Sequence, residues 1–434
     1  MFKAVDKWLP GYLRSVLSRP RAADRLRHLI VCVCDHFEPF RNGTDAVVAR
    51  QTVRDWLAAY PDSVEPFRDA DGCLPKQSFF YPQEDYDADI LDQLSRFCRR
   101  GYGEVEIHLH HRHDTPAGFR EKLVTFRDLL HEKHGLLGVQ RELTGCQVAE
   151  LSSESPTCPP EFLRGRKASS SSTTQQPNNS TTSSPIRYAF IHGNWALCNS
   201  RPDGDWCGVN EELGILAESG CYADFTFPSA PSPTQPRIVN ALYYARDIPG
   251  KPRGADRGEL SSCQVAELLR ESPACPPEAL RRRKVSSPPT TQQPNNLTPS
   301  PPLLLITGPL ALNWRRRKWG VFPRLENAEI SGANPPTADR LRLWTRQGIH
   351  VAGRPDWIFV KVHTHGCVPG NAGVLLGSAM REAREVLRRD FNDGHHWQLH
   401  YASAREMFNM VKAAEAGLPG SPGLYRDYHV TWNA

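Results

Sequence analysis

Short apolar runs that suit β-strands alternate along this chain with stretches whose apolar residues recur near every 3.6 positions. The runs predicted as strands are Leu29–Cys34, Gln77–Tyr81, Val105–His110, Tyr188–His192, Tyr222–Phe227, Leu303–Thr307 and Trp357–His363. The helical pattern covers Ala46–Tyr60, Ala88–Arg100, Ala117–Lys133, Glu211–Ser219, Gly373–Arg389 and Ser403–Ala416, with Gly101 and Gly220 as stop signals behind the second and fourth. Strands separated by helices imply βαβ units and a mainly parallel sheet, hence an α/β fold. Seven or so such units fit a (β/α) barrel, irregular or incomplete, better than an open sheet. In such barrels chemistry gathers at the carboxyl ends of the strands.

Two stretches break the pattern. Cys146–Asn179 and Cys263–Asn296 align without a gap, and 26 of their 34 positions are identical. Two copies set apart by unrelated sequence do not make a solenoid, which needs adjacent units to bury a shared face. They read as a duplicated insertion. Their Ser, Thr, Pro, Gln and Asn content cannot bury enough apolar surface to offset chain entropy, so exposed, disordered loops are expected. The predicted organisation is an N-terminal helical extension over 1–27, one α/β domain formed by 28–144, 186–258 and 303–434, and inserted copies at 145–185 and 259–302.

Charge and composition then exclude several classes. The excess of 53 Lys+Arg over 48 Asp+Glu is too weak and too dispersed for a nucleic-acid-binding face, and Arg315-Arg316-Arg317-Lys318 reads as solvated surface. No stretch approaches the roughly 18 apolar residues that span a bilayer, so no stable membrane insertion is expected. The first residues carry charges throughout and lack the apolar core of a secretory signal, which points to the cytoplasm. The 12 cysteines include no CxxC pair, and Cys32 and Cys34, alternating with valines, read as buried thiols.

Polar clusters stand at the ends of the predicted strands. Asp35-His36-Phe37-Glu38 follows the first, where unpaired ionisable groups are costly unless they bind something or face a cleft. Glu106-Ile107-His108-Leu109-His110-His111-Arg112-His113-Asp114 holds four histidines in six residues, and imidazole with carboxylate suits zinc and similar divalent ions. His108 and His110 share a strand face, and His110 and Asp114 converge if the chain turns helical there. His192-Gly193-Asn194-Trp195 puts small residues where a backbone can approach a ligand, and Asp224 closes another strand. His363 and His365, after WIFVKV, are candidate ligands or general acids.

Taken in order, these motifs resemble the polysaccharide deacetylase (NodB-homology, carbohydrate esterase family 4) group. QSFFYP is similar to its ATFF-type strand, EIHLHHRHD to its E-I-G-x-H-[ST]-x-x-[HD] run, CDHFEP to its Asp-pair motif and VKVH to its final L-x-H. The likeness spans Leu29 to Gly366, interrupted by the inserts. It implies His110, Asp114 and His36 as metal ligands, Asp35 as catalytic base and His363 as general acid. His192, Asn194, Trp195 and Asp224 would contact substrate, and Glu38, His108 and His365 are alternative ligands.

The implied activity is metal-dependent removal of an N- or O-acyl group from a carbohydrate, with zinc, or else cobalt, manganese or nickel, lowering the pKa of water. The partner is then a carbohydrate or N-acylated small molecule. An alternative takes His108-Leu109-His110 as the HxH motif of an amidohydrolase or PHP-like enzyme acting on a cyclic amide or phosphoester. No R-x-P-[FY] motif is present, which motivates a third expectation, an inactivated deacetylase-like barrel that binds sugar or serves as a scaffold.

Overall fold

The computed structural model describes residues 4–20, 25–141, 185–263 and 300–432. Both repeat copies, apart from Cys263, lie outside the described residues. The strands are β1 (Arg27–His36), β2 (Gln77–Pro82), β3 (Gly103–Leu109), β4 (Gly138–Gln140), β5 (Ile186–His192), β6 (Cys221–Asp224), β7 (Leu242–Ala245), β8 (Glu259–Leu260), β9 (Leu303–Ile306), β10 (Ala311–Lys318), β11 (Phe322–Glu326), β12 (Trp357–Thr364), β13 (Trp397–Tyr401) and β14 (Val430–Thr431). The helices are α1 (Val5–Leu17), α2 (Ala46–Val64), α3 (Ala88–Arg99), α4 (Pro116–His134), α5 (Glu212–Glu218), α6 (Ala338–Thr345), α7 (Pro369–Leu376), α8 (Ser378–Phe391) and α9 (Ala404–Glu415).

β1 is the apolar run RHLIVCVCDH, which buries residues on both faces, as a strand inside a helix-covered parallel sheet does. Burying a side chain such as Ile30 or Leu29 contributes about 1.5–3 kcal/mol. Along one edge β1 pairs in parallel with β12, from His28 opposite Trp357 to Asp35 opposite Thr364. Its other edge is shared, β13 pairing with Arg27–Val31 and β2 with Val33–His36. The parallel order continues through β3, β5, β6 and β9, and then β7 and β8 run antiparallel. The two ends of this sheet meet around residues 349–352. Ala352 N donates to Ser261 O at 2.8 Å, and Phe359 N donates to Ile349 O at 2.8 Å. The sheet therefore runs into the stretch read as the second insert.

Alternation along each strand sorts the side chains into two layers. Leu29 and Val33 of β1, Tyr188 and Phe190 of β5, and Val105 and Ile107 of β3 pack against helices. Ile30, Cys32 and Cys34 of β1, Ala189 and Ile191 of β5, and Phe359 of β12 face a separate core shared with α9. That helix begins with a capping box, the Ser403 hydroxyl accepting from Glu406 N while the Glu406 carboxylate accepts from Ser403 N. It lies at the amino ends of β2 and β3, where Ala404 N donates to Ser78 Oγ at 2.8 Å and Arg405 forks onto the Glu104 carboxylate at 2.8 and 2.9 Å. One end of the inner core is thereby closed, and the carboxyl ends of the strands remain for the polar clusters.

Candidate functional site

The odd and even positions of the strands decide which polar residues meet. His36 continues the inner series of Ile30, Cys32 and Cys34, and His108 lies on the inner face of β3. His108 Nδ1 lies 2.8 Å from Ile191 O. A carbonyl only accepts, so Nδ1 carries the hydrogen, and Nε2 on the other side of the ring lies 3.2 Å from Glu38 Oε1. His110 Nε2 lies 3.4 Å from the same oxygen, and its Nδ1 is bonded to Glu84. The His36 ring sits 4.9 Å from that of His108 and 4.7 Å from that of His365, with His36 Nε2 buried and without a hydrogen-bond partner among the described residues. One ligand atom each from His36, Glu38 and His108 lies within 4.8 Å of the others, an arrangement able to hold a metal ion.

His36, Glu38, His110 and His365 open into a cavity of about 350 Å³, lined also by Arg41, Glu84, Asp85, Asn194 and Trp195, with His108 buried behind them. Burial pushes the Glu38 carboxyl up, but the bond from His108 and the surrounding histidines outweigh it and hold the group at about 2. Burial pushes His365 down to about 4, and burial together with the neighbouring histidines pushes His36 well down too, so both rings are neutral at physiological pH. For His110 burial works the same way, yet the Glu84 carboxylate outweighs it and raises the ring. Gly193 lets this crowding happen, since a Cβ there would strike the His110 ring.

The expected pair His110 and Asp114 does not converge. Residues after β3 follow an irregular path, with His113 at φ 50°, and α4 begins only at Pro116, so the helical spacing is never realised. Asp114 instead pairs with Lys122 at 2.7 Å and lies 3.5 Å from His111 Nδ1. Asp35 falls on the helix-facing side of β1, opposite to His36. Gln77 Nε2 at 2.8 Å and Gly366 N at 2.5 Å donate to it, and burial pushes its carboxyl up to about 7. It does not line the cavity. His363 does face inward, but it is level with Cys34, one step below His36, and leaves His365 at the cavity wall.

His192 shares a strand face with Tyr188 and Phe190 and so turns away from the cavity, toward His111, Cys207 and Glu212. Asp224 is buried, accepting from Thr226 N and Oγ1 at 3.0 and 2.7 Å, and does not reach the cavity. Of the residues expected to contact substrate, only Asn194 and Trp195 line it. Glu84 and Asp85 escaped the sequence reading, although two acids directly after QSFFYPQ carry the same strand-end signal as CDHFE. Cys207 and Glu212 gave no signal, because nothing local ties a loop cysteine to a helix-start glutamate. A further group, Asp69, Asp71 and His400, is balanced by Arg426, whose Nη2 lies 2.9 and 2.8 Å from the two aspartates. No protein-family model matches the chain, and no curated protein sequence aligns with it significantly.

Proposed function

We propose that the protein is a metal-dependent hydrolase that removes an acyl group from a carbohydrate, with one zinc ion held by His36, Glu38 and His108. What supports this reading is His108 Nε2 at 3.2 Å from the Glu38 carboxylate, beside a His36 Nε2 without a hydrogen-bond partner among the described residues, with His36 and Glu38 lining an open cavity. Two imidazoles and one carboxylate with an open side are a donor set suited to catalytic zinc. Such an ion lowers the pKa of water toward neutrality and polarises a carbonyl. The deacetylase-like resemblance supports the substrate class, and the bridged ends of the sheet support an irregular (β/α) barrel.

The chain's own residues supply the rest. Glu84 fixes the His110 ring through Nδ1, leaving Nε2 toward the cavity to pass a proton to the leaving amine or alcohol. Trp195 offers an aromatic face and Asn194 an amide to a sugar ring at the cavity wall. Asp35 and His363, given these roles by the resemblance, act instead through packing beneath the site. Elemental analysis of the purified chain with His36→Ala, Glu38→Gln and Glu84→Gln tests this. The first two variants are expected to lose one equivalent of zinc and all turnover of an acetylated chromogenic ester or N-acetylated oligosaccharide. Glu84→Gln is expected to keep its zinc and lose about 100-fold or more in kcat, the usual worth of a positioned proton-transfer group. Undiminished turnover in His36→Ala sinks the proposal.

A second reading rests on His108 and His110 both approaching Glu38, as an HxH hydrolase would require. Two ions in the cavity and cleavage of a phosphodiester probe, with acetylated probes untouched, would favour it.

A further inference from the structure

The group that captured His192 lies on the far side of the Gly193 turn from the cavity. Its four members come from different parts of the chain: His111 after β3, His192 at the end of β5, Cys207 in the connection that follows and Glu212 at the first residue of α5. All four are fully or almost fully buried. His111 Nε2 lies 3.0 Å and His192 Nε2 3.5 Å from Glu212 Oε1, and Cys207 Sγ lies 3.3 Å from Glu212 Oε2. Among the described residues His192 Nε2 has no hydrogen-bond partner, and its Nδ1 is turned onto the Gly193 carbonyl.

We propose that His111, His192, Cys207 and Glu212 form a second, closed metal site that takes zinc and serves structure rather than catalysis. Metal–nitrogen and metal–sulfur bonds of about 2.0–2.1 and 2.3 Å in a tetrahedron place neighbouring donor atoms roughly 3.3–3.6 Å apart. Glu212 Oε1 lies near that range from both imidazole nitrogens, Cys207 Sγ approaches the other oxygen of the same carboxylate, and one ligand atom from each of the four residues lies within 4.8 Å of the others. The charges balance, since one dication offsets a thiolate and a carboxylate, whereas without it a buried carboxylate faces an imidazole nitrogen that has nothing to bond. Cys207 gives up its thiol proton to solvent as the sulfur–metal bond forms. The Cys207 thiol hydrogen goes to Glu212 Oε2 or Val209 O, each at 3.3 Å, while Asn199 N and Val209 N donate to the sulfur at 3.3 and 3.4 Å, two bonds that a thiolate would keep. Behind His111, the Asp114 carboxylate stands 3.5 Å from an Nδ1 that has no hydrogen-bond partner among the described residues, a position from which a small shift would let it orient a ligating ring.

The site explains how an otherwise irregular connection keeps one shape. Between β5 and α5 the chain has only short turns, with Asn194, Trp195, Cys198, Asn199 and Trp206 at positive φ. His192 and Glu212 are its two ends and Cys207 lies within it, so one ion closes the loop at its base. The same loop presents Asn194 and Trp195 to the cavity, and the ion thereby fixes the wall of the site without touching substrate.

Cobalt(II) substitution of the full chain, with elemental analysis, provides the test. Thiolate ligation of cobalt gives a near-ultraviolet charge-transfer band that imidazole and carboxylate do not, so the band reads the Cys207 site and ignores the cavity. Cobalt-loaded wild-type protein is expected to show it, and His36→Ala with His108→Ala to keep it while losing one equivalent of metal. Cys207→Ser is expected to lose the band and one equivalent. A band that survives Cys207→Ser, or disappears with His36→Ala and His108→Ala, overturns the site. Should Cys207→Ser not fold, the wild-type spectrum decides alone, since its lacking a thiolate band also overturns the site. Absent turnover beside an intact band counts against the catalytic proposal only.

Discussion

Ile191 engages one ring nitrogen of His108 and the Glu38 carboxylate stands 3.2 Å from the other, so the fold holds the two groups where they can share a cation. Anything that binds the folded chain and not the unfolded one adds stability, about 2.7 kcal/mol at a hundredfold excess over Kd. Chelation is therefore expected to lower the denaturant midpoint of the wild type, and to lower it less in His36→Ala with His108→Ala. A second residue-scale expectation concerns Asp224, whose carboxyl burial pushes up to about 7 despite its bonds from Thr226 and the nearby Lys361 ammonium. A raised carboxyl favours the protonated folded state, so its contribution is fully present below the unfolded value near pH 4 and is lost as pH rises through about 7. Asp224→Asn is expected to narrow the fall in urea midpoint between pH 5 and pH 8, and an unchanged fall would refute the assignment. At this scale strand-end position, a local property, marked His36, Glu38, His108 and His365 in the sequence, and the fold brings the first three together. It misplaced Asp114 and His192, because their partners depend on where the chain turns after His110 and on a strand parity that one extra residue inverts.

Elements with a strong period were legible and those without one were not. The predicted helices over Ala46–Tyr60, Ala88–Arg100, Ala117–Lys133 and Ser403–Ala416 match α2, α3, α4 and α9 closely, since each carries its apolar stripe and its caps in its own residues. Gly373–Arg389 is broken at Gly377 into α7 and α8. The short β7 and β8 lack a pattern long enough to read, and pairing alone defines them. The partners that fix α9 are also hidden from the sequence, because Glu104 meets Arg405 from a distant strand. Arg405→Met is expected to cost about 3–5 kcal/mol in chemical denaturation by stranding Glu104 in a buried position. Adding Glu104→Leu should recover much of that loss. The β10–β11 hairpin behaves oppositely, since Trp319 and Phe322 are 76% and 61% exposed. Trp319→Ser with Phe322→Ser is expected to leave the unfolding midpoint within about 0.5 kcal/mol of wild type while raising solubility.

In the whole molecule, the α/β class and the mostly parallel sheet followed from the alternation of strands and helices, whereas the order of strands did not. Nothing in LIVCVC foretells that it will sit between β2, β12 and β13. That placement has a consequence for the timing of folding. β1 leaves the ribosome early, yet β12, which covers one whole edge of it and brings His365 to the cavity, follows about 320 residues later. At typical synthesis rates this is a delay on the order of tens of seconds. Throughout that interval one edge of a largely apolar strand stays unpaired, the kind of exposed edge that invites aggregation.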